Sequence, residues 1–94
     1  MKRVRVKIFG DVQGVFFRAN TKEKADELNV KGWVKNTTNG GVEAIFEGED
    51  HAIDEILSWC RKGPMGARVD RIETKEEKYK GKFKEFIIKY DPFL

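Results

Sequence analysis

Asn39-Gly40 stands between two strand-like runs, Gly32 to Thr38 and Gly41 to Phe46. Both residues accept positive φ, which a tight turn between twisted strands requires, so this dipeptide is the strongest short-range hairpin signal in the chain. With a hairpin at the centre, the flanks decide the fold. On the N-terminal side Val4, Val6 and Ile8 alternate with Arg5, Lys7 and Phe9, the period of a half-buried strand. Arg18 to Asn29 follows with helical spacing; Phe17, Ala25 and Leu28 form its apolar stripe, and Asn29 or Gly32 can end it. On the C-terminal side Asp50 offers an N-cap. Ile53, Ile56, Leu57 and Cys60 then recur at helical spacing beside Trp59, and Gly63-Pro64 supplies a stop. Ala67 to Lys78 reads as a long charged strand and Phe83 to Tyr90 as another, with a break near Tyr79-Lys80-Gly81. Pro92 closes the domain.

The order strand, helix, strand, strand, helix, strand is the split β-α-β pattern. It predicts an α+β fold, a ferredoxin-like βαββαβ sandwich with two amphipathic helices on one face of an antiparallel sheet. The 94 residues make one domain, 1–94, without linker, repeat or low-complexity tract. A chain of this size buries roughly 65% of its unfolded surface, enough for one core. In this topology strands one and two run parallel with strand three between them. The loop after strand one and Asn36 at the end of strand two then lie at the same end of the sheet, on strands about 10 Å apart. A phosphate-sized group and a water fit in that space.

Gly10-Asp11-Val12-Gln13-Gly14-Val15-Phe16-Phe17-Arg18 joins the first strand to the first helix. A Gly-bearing turn running into a helix start points backbone N–H groups outward, and Arg18 adds a fixed positive fork. Gly14 suits a tight anion loop that needs positive φ. Net charge is +3, from 19 basic and 16 acidic residues interspersed along the chain. The balance favours an anionic ligand mildly and is too mixed to argue for nucleic acid. Lys and Glu are plentiful while Gln, Ser and His occur once each, a bias shared with proteins from hot environments.

Cys60 is the only cysteine and falls on an apolar helical face, so it reads as a small core residue and no internal disulfide can form. No apolar run approaches the roughly 18 residues of a membrane span. The Met1-Lys2-Arg3 start lacks an apolar signal core. A soluble protein of the reducing cytoplasm, monomeric by default, is the expectation.

At these residues the chain resembles the acylphosphatase family. The family's first signature, G-x-V-Q-G-V-x-F-R, is met in full by Gly10 to Arg18. Its seven named letters would arise by chance on the order of once in ten million random chains of this length. The second signature, G-aromatic-small-basic-N-x-x-x-G-x-V with a further Gly, is met by Gly32, Trp33, Val34, Lys35, Asn36, Gly40, Val42 and Gly48. The resemblance implies a small hydrolase that cleaves the carboxyl–phosphate bond of acyl phosphates, with neither metal nor organic cofactor. Carried over, Arg18 clamps the phosphate and Asn36 holds the attacking water. Backbone N–H groups of Gly14, Val15, Phe16 and Phe17 cradle the phosphate. Gln13 belongs to the same substrate-binding loop and is expected to brace it through side-chain hydrogen bonds. Phe16 could also border the acyl group. The substrate is a small-molecule acyl phosphate, with no nucleic acid or membrane partner.

Those residue types suit the chemistry. Phosphoryl transfer asks for positioning and charge stabilisation more than for covalent catalysis. A guanidinium matches two phosphate oxygens at once and keeps its charge. Asn36 can accept from water with its carbonyl and donate with its amide.

Other chemistry-bearing residues have plainer readings. His51 is the only His and has no Cys beside it, so it reads as a surface residue and not a metal ligand. Glu76 and Glu77 are neighbours in a strand and point to opposite faces, which disfavours a catalytic pair. The Lys-rich stretch from Lys75 to Lys84 reads as a solvated edge. The main alternative function is a non-enzymatic anion- or RNA-binding module, because ferredoxin-like sheets also bind RNA. The RNP aromatic pattern is missing, however: strand one presents Arg3, Arg5, Lys7 and only Phe9. A second alternative is a regulatory module like the acylphosphatase-like domain of larger maturation proteins.

Overall fold

Val4, Val6 and Ile8 turn one face of the first strand inward, where each is at most 4% exposed. This alternation builds β1, Lys2–Asp11, in a computed structural model that describes residues 1–90. There follow α1 (Phe17–Glu27), β2 (Lys31–Asn36), β3 (Val42–Gly48), α2 (Asp50–Lys62), β4 (Arg68–Glu77) and β5 (Phe86–Lys89). The strands form one sheet in the order β4-β1-β3-β2-β5. β3 is antiparallel to both β1 and β2, so β1 and β2 run parallel with β3 between them, as the pattern predicts. Both helices cover the same face. Phe17, Ala25, Ala52, Ile53, Ile56 and Cys60 pack with Val4, Val6, Ile8, Val34, Ala44, Phe46 and Phe86 in one core. Phe17 meets Trp59 at 5.5 Å between ring centroids, and Phe46 stacks on Phe86 at 5.7 Å.

The ferredoxin-like sandwich is present, with one addition. The break near Tyr79-Lys80-Gly81 separates two strands on opposite edges of the sheet. β4 pairs antiparallel with β1, whereas β5 pairs parallel with β2, so the five-stranded sheet is mixed. Residues 78–85 make the crossing: the Lys80 amide donates to Glu47 Oε2 at 3.0 Å, Arg3 lies over the Phe83 ring, and the Gly32 amide donates to Glu85 O. Pairing strength per residue is similar for the two orientations, so no local pattern distinguished them.

Three smaller differences have local causes. The hairpin strands stop at Asn36 and Val42, leaving five connecting residues around Asn39-Gly40 in place of a two-residue turn. Thr37 closes that loop, accepting from the Gly41 amide at its Oγ1 and donating its own amide to Gly41 O. α1 ends through Leu28 with Asn29 at φ 58°, the left-handed conformation Asn tolerates. Asp50 is the first residue of α2 and Glu49 is its N-cap; the Asp50 carboxylate lies 3.7 Å from the N-terminal amine. Its charge still complements the positive end of the helix. Pro92 lies outside the described residues.

Ion pairs roof the face of the sheet away from the helices. Arg3 reaches Glu47 at 3.2 Å and Glu77 at 3.0 Å; Arg5 reaches Glu77 at 2.9 Å and Glu43 at 2.8 Å. Ile45, in register between Arg5 and Trp33, is fully buried there although no helix covers it. Arg5 passes over it to the Trp33 ring, 5.9 Å from the centroid. Hydrogen bonds from Arg5 and then Arg3 hold the Glu77 carboxyl below the ordinary carboxylate range. The folded protein therefore binds fewer protons at Glu77 than the unfolded chain does, and stability rises with pH through that window. This contribution is fully present above an unfolded value of about 4.3 and is lost as pH falls through the folded one. Glu77→Gln should lower Tm at neutral pH and flatten the acid limb of Tm against pH. Thermal melts across that limb check it, and an unaltered slope would remove Glu77 from the account.

A β-bulge between Phe9 and Gly10 shifts the register of β1 on β4 and ends the strand with a bend. Gly10 makes the bend possible: its φ is 139°, and an added Cβ would lie 2.0 Å from Arg68 O and 2.9 Å from the Asp70 amide nitrogen. Gly10→Ala is expected to destabilise the fold by about 3 kcal/mol, since both strain and overpacking oppose it. Urea unfolding would read this as a lower midpoint at unchanged slope.

Candidate active site

The bend delivers residues 12–16 to the end of the sheet where β2 finishes. Val12, 1% exposed, anchors the loop in the core. Gly14 has φ 74° with open space around it, and Phe16 has φ 59° and ψ 26°, the left-handed conformation, which bulky residues seldom adopt. Left-handed residues interspersed in a turn swing successive N–H groups into one concavity. The Phe16 carbonyl is turned the other way, into α1, where it accepts from the Asn20 amide at 3.0 Å and from Asn20 Nδ2 at 2.8 Å. The first turn of α1 carries no acidic residue and its N-cap makes no side-chain hydrogen bond. Its positive end is left uncompensated by its own side chains, a setting that favours an anion.

Arg18 follows from the first helical turn. Its Nη1 lies 3.4 Å from Lys89 O, and its guanidinium carbon is 5.1 Å from the centroid of Tyr90. β5 and the residue after it thus orient the guanidinium. Asn36 is the last residue of β2, half-buried, and its side chain makes no hydrogen bond among the described residues. Between these groups opens a cleft of about 360 Å³, lined by Gly14, Phe16, Phe17, Arg18, Asn36 and Tyr90, with Val12, Ala19 and Ile88 completing its wall.

Five of the seven site residues read from the sequence therefore meet at one cleft. Gln13 and Val15 do not line it. The Gln13 Nε2 donates to Thr37 O and to Gly41 O, each at 2.8 Å, and so ties the loop to the hairpin base next to Asn36. Val15 turns its side chain to the core. The Phe17 side chain is also buried, against Trp59, so only its backbone can address a ligand. Tyr90, Ile88 and Lys89 O were missed as site components. Phe83 to Tyr90 reads as a strand, but no local signal says which sheet edge it joins.

The remaining titratable candidates lie elsewhere. His51 is exposed, Glu76 is exposed, and Glu77 is engaged with Arg3 and Arg5. Burial pushes the Cys60 thiol up to about 12, which leaves it protonated and inert. No helix among the described residues is long and apolar enough to cross a membrane.

A two-helix, ferredoxin-like sandwich with a Gly-bearing loop, an arginine and an asparagine around one cleft is an arrangement suited to a phosphate-bearing ligand. The sequence model of the acylphosphatase family matches residues 4–88. An acylphosphatase of Syntrophus aciditrophicus is 50% identical over 91 residues, covering 97% of this chain and 95% of that one. The crystal structure of an acylphosphatase from Bacillus subtilis superposes with a TM-score of 0.92 at 32% identity, covering 96% of this chain and all of that one. Full-length HypF, in a phosphate- and nucleotide-bound form, matches with a TM-score of 0.86 at 30% identity over 96% of this chain but only 12% of its own. The chain belongs to the acylphosphatase family. It is an enzyme that hydrolyses acyl phosphates to a carboxylate and inorganic phosphate.

Proposed function

We propose that catalysis proceeds by attack of water on a phosphoryl group seated in the cleft. The N–H groups of Gly14, Val15, Phe16 and Phe17 and the Arg18 fork take the phosphate oxygens. The Asn36 carbonyl accepts from the water while its amide donates, aiming a lone pair at phosphorus. The new P–O bond forms as the bond to the acyl oxygen breaks, and that electron pair leaves on the carboxylate. A carboxylate with a pKa near 4 leaves unprotonated, so no general acid is required. The substrate's own phosphate receives the proton of the water. Gln13 holds the loop and the hairpin in register and touches no substrate. The convergence of Arg18 and Asn36 on one cleft carries this reading.

The same reading has the protein act alone on small acyl phosphates, as a single domain in the cytoplasm, with neither metal nor organic cofactor. Hydrolysis of benzoyl phosphate in the presence of EDTA tests it. Turnover should be unaffected by chelation. Activity that disappears with EDTA and returns with a divalent cation would overturn the mechanism.

A further inference from the structure

The cleft is larger than its phosphate end requires. A phosphate fills the space of two or three waters, roughly 60–90 Å³ at about 30 Å³ each, and the cleft measures about 360 Å³. What lines the remainder is apolar. Among the described residues Arg18 is the only charged side chain on the wall; beyond it and Asn36 stand Val12, Ala19, Ile88 and two exposed aromatic rings. The nearby lysines are committed elsewhere. Lys22 Nζ is held by Asp26 and by Phe86 O, and Lys89 Nζ lies over the Trp33 ring, 4.3 Å from its centroid. Among the described residues, a second anionic group on the acyl side would find no further cation on the wall once Arg18 holds the phosphate.

Phe16 and Tyr90 are the two rings, and they are 79% and 74% exposed. Large aromatics left this open are unusual on a domain whose other rings are mostly covered. Phe16 is moreover held there by a left-handed backbone, which persists where the surroundings over-determine it. The loop geometry that aims the N–H groups at an anion also places this ring at the mouth of the cleft. Tyr90 presents a ring already stacked on the guanidinium that would hold the phosphate.

The geometry points to an acyl subsite formed by Phe16 and Tyr90 that selects acyl phosphates with a flat, neutral, apolar acyl group over small or anionic ones. The assignment rests on the cleft being the phosphate site. Each ring contact should contribute about three- to tenfold in affinity, as paired aromatic contacts do beyond area burial.

The test separates the subsite from the hydrolytic reading by using ligands that are not turned over. Calorimetric titration compares benzylphosphonate with methylphosphonate, which share one anionic head. The wild-type protein should bind the benzyl compound about tenfold more tightly. Phe16→Asn removes the ring while tolerating the left-handed backbone, and Tyr90→Leu removes the other ring. Each should lower the ratio of the two affinities at least threefold, and Tyr90→Phe should restore it. Damage to the phosphate end weakens both ligands alike and cancels in the ratio. Equal affinities in the wild type, or a ratio unmoved by both ring deletions, would overturn the subsite while leaving hydrolysis intact. Loss of benzoyl phosphate turnover with the affinity ratio preserved would instead overturn the catalytic mechanism and leave the subsite standing.

Discussion

Arg18→Lys is expected to lower kcat/KM for benzoyl phosphate by at least about 10²-fold, and Arg18→Ala by about 10³-fold or more. The difference between Arg and Lys is geometric. A guanidinium offers two parallel N–H donors to two phosphate oxygens and follows them as charge redistributes in the transition state. An ammonium on a flexible stem is a point charge that satisfies one direction at a time. The structure adds a second reason. Arg18 is oriented by Lys89 O at 3.4 Å and by the face of Tyr90. A lysine cannot reproduce a planar stack, so it would lose orientation as well as the fork. Steady-state kinetics on variants with wild-type melting temperatures check this. A lysine variant within a few fold of wild type would show that charge alone suffices and that the fork plays no part.

Asn36→Ala should cost about 10²–10³ in kcat while changing inhibition by the product phosphate little. The split follows from the role assigned to Asn36, which touches the water and not the phosphate. Folding should be nearly unaffected, because the side chain is half-buried and bonds to nothing among the described residues. Asn36→Asp should be worse than alanine in phosphate affinity. A carboxylate keeps the acceptor, loses the donor, and sets a negative charge against an anionic ligand. Kinetics with phosphate as a competitive inhibitor distinguish the outcomes. Parallel losses in kcat and in phosphate affinity on Asn36→Ala would move Asn36 from the water to the phosphate.

Much of the fold was legible because local patterns report local geometry. Period two in Val4, Val6 and Ile8, helical spacing in Ile53, Ile56 and Cys60, and glycine at position 63 each describe what a residue does to its own backbone or its own face. The topology then followed from the order of elements, which carried the loop and Asn36 to one end of the sheet. Gly14 met its expected positive φ. Phe16 did not announce its left-handed backbone, since nothing in a phenylalanine favours that region; the closed loop and the start of α1 impose it.

The sequence by itself determined the helix-backed sheet and the meeting of the Gly-bearing loop, Arg18 and Asn36 at one end of it, because alternation, positive-φ residues and a contiguous motif are short-range properties. Only the tertiary structure decided that the last strand joins β2 in parallel across the sheet from β4. It alone brought Tyr90 and Lys89 O to the guanidinium, tied Gln13 to Thr37 and Gly41, and linked Arg3 and Arg5 to Glu77. Each of those contacts joins residues separated by at least 24 positions in the chain. Which free edge, carbonyl or carboxylate a distant residue meets depends on where the intervening elements pack, and no residue carries that information in its own identity.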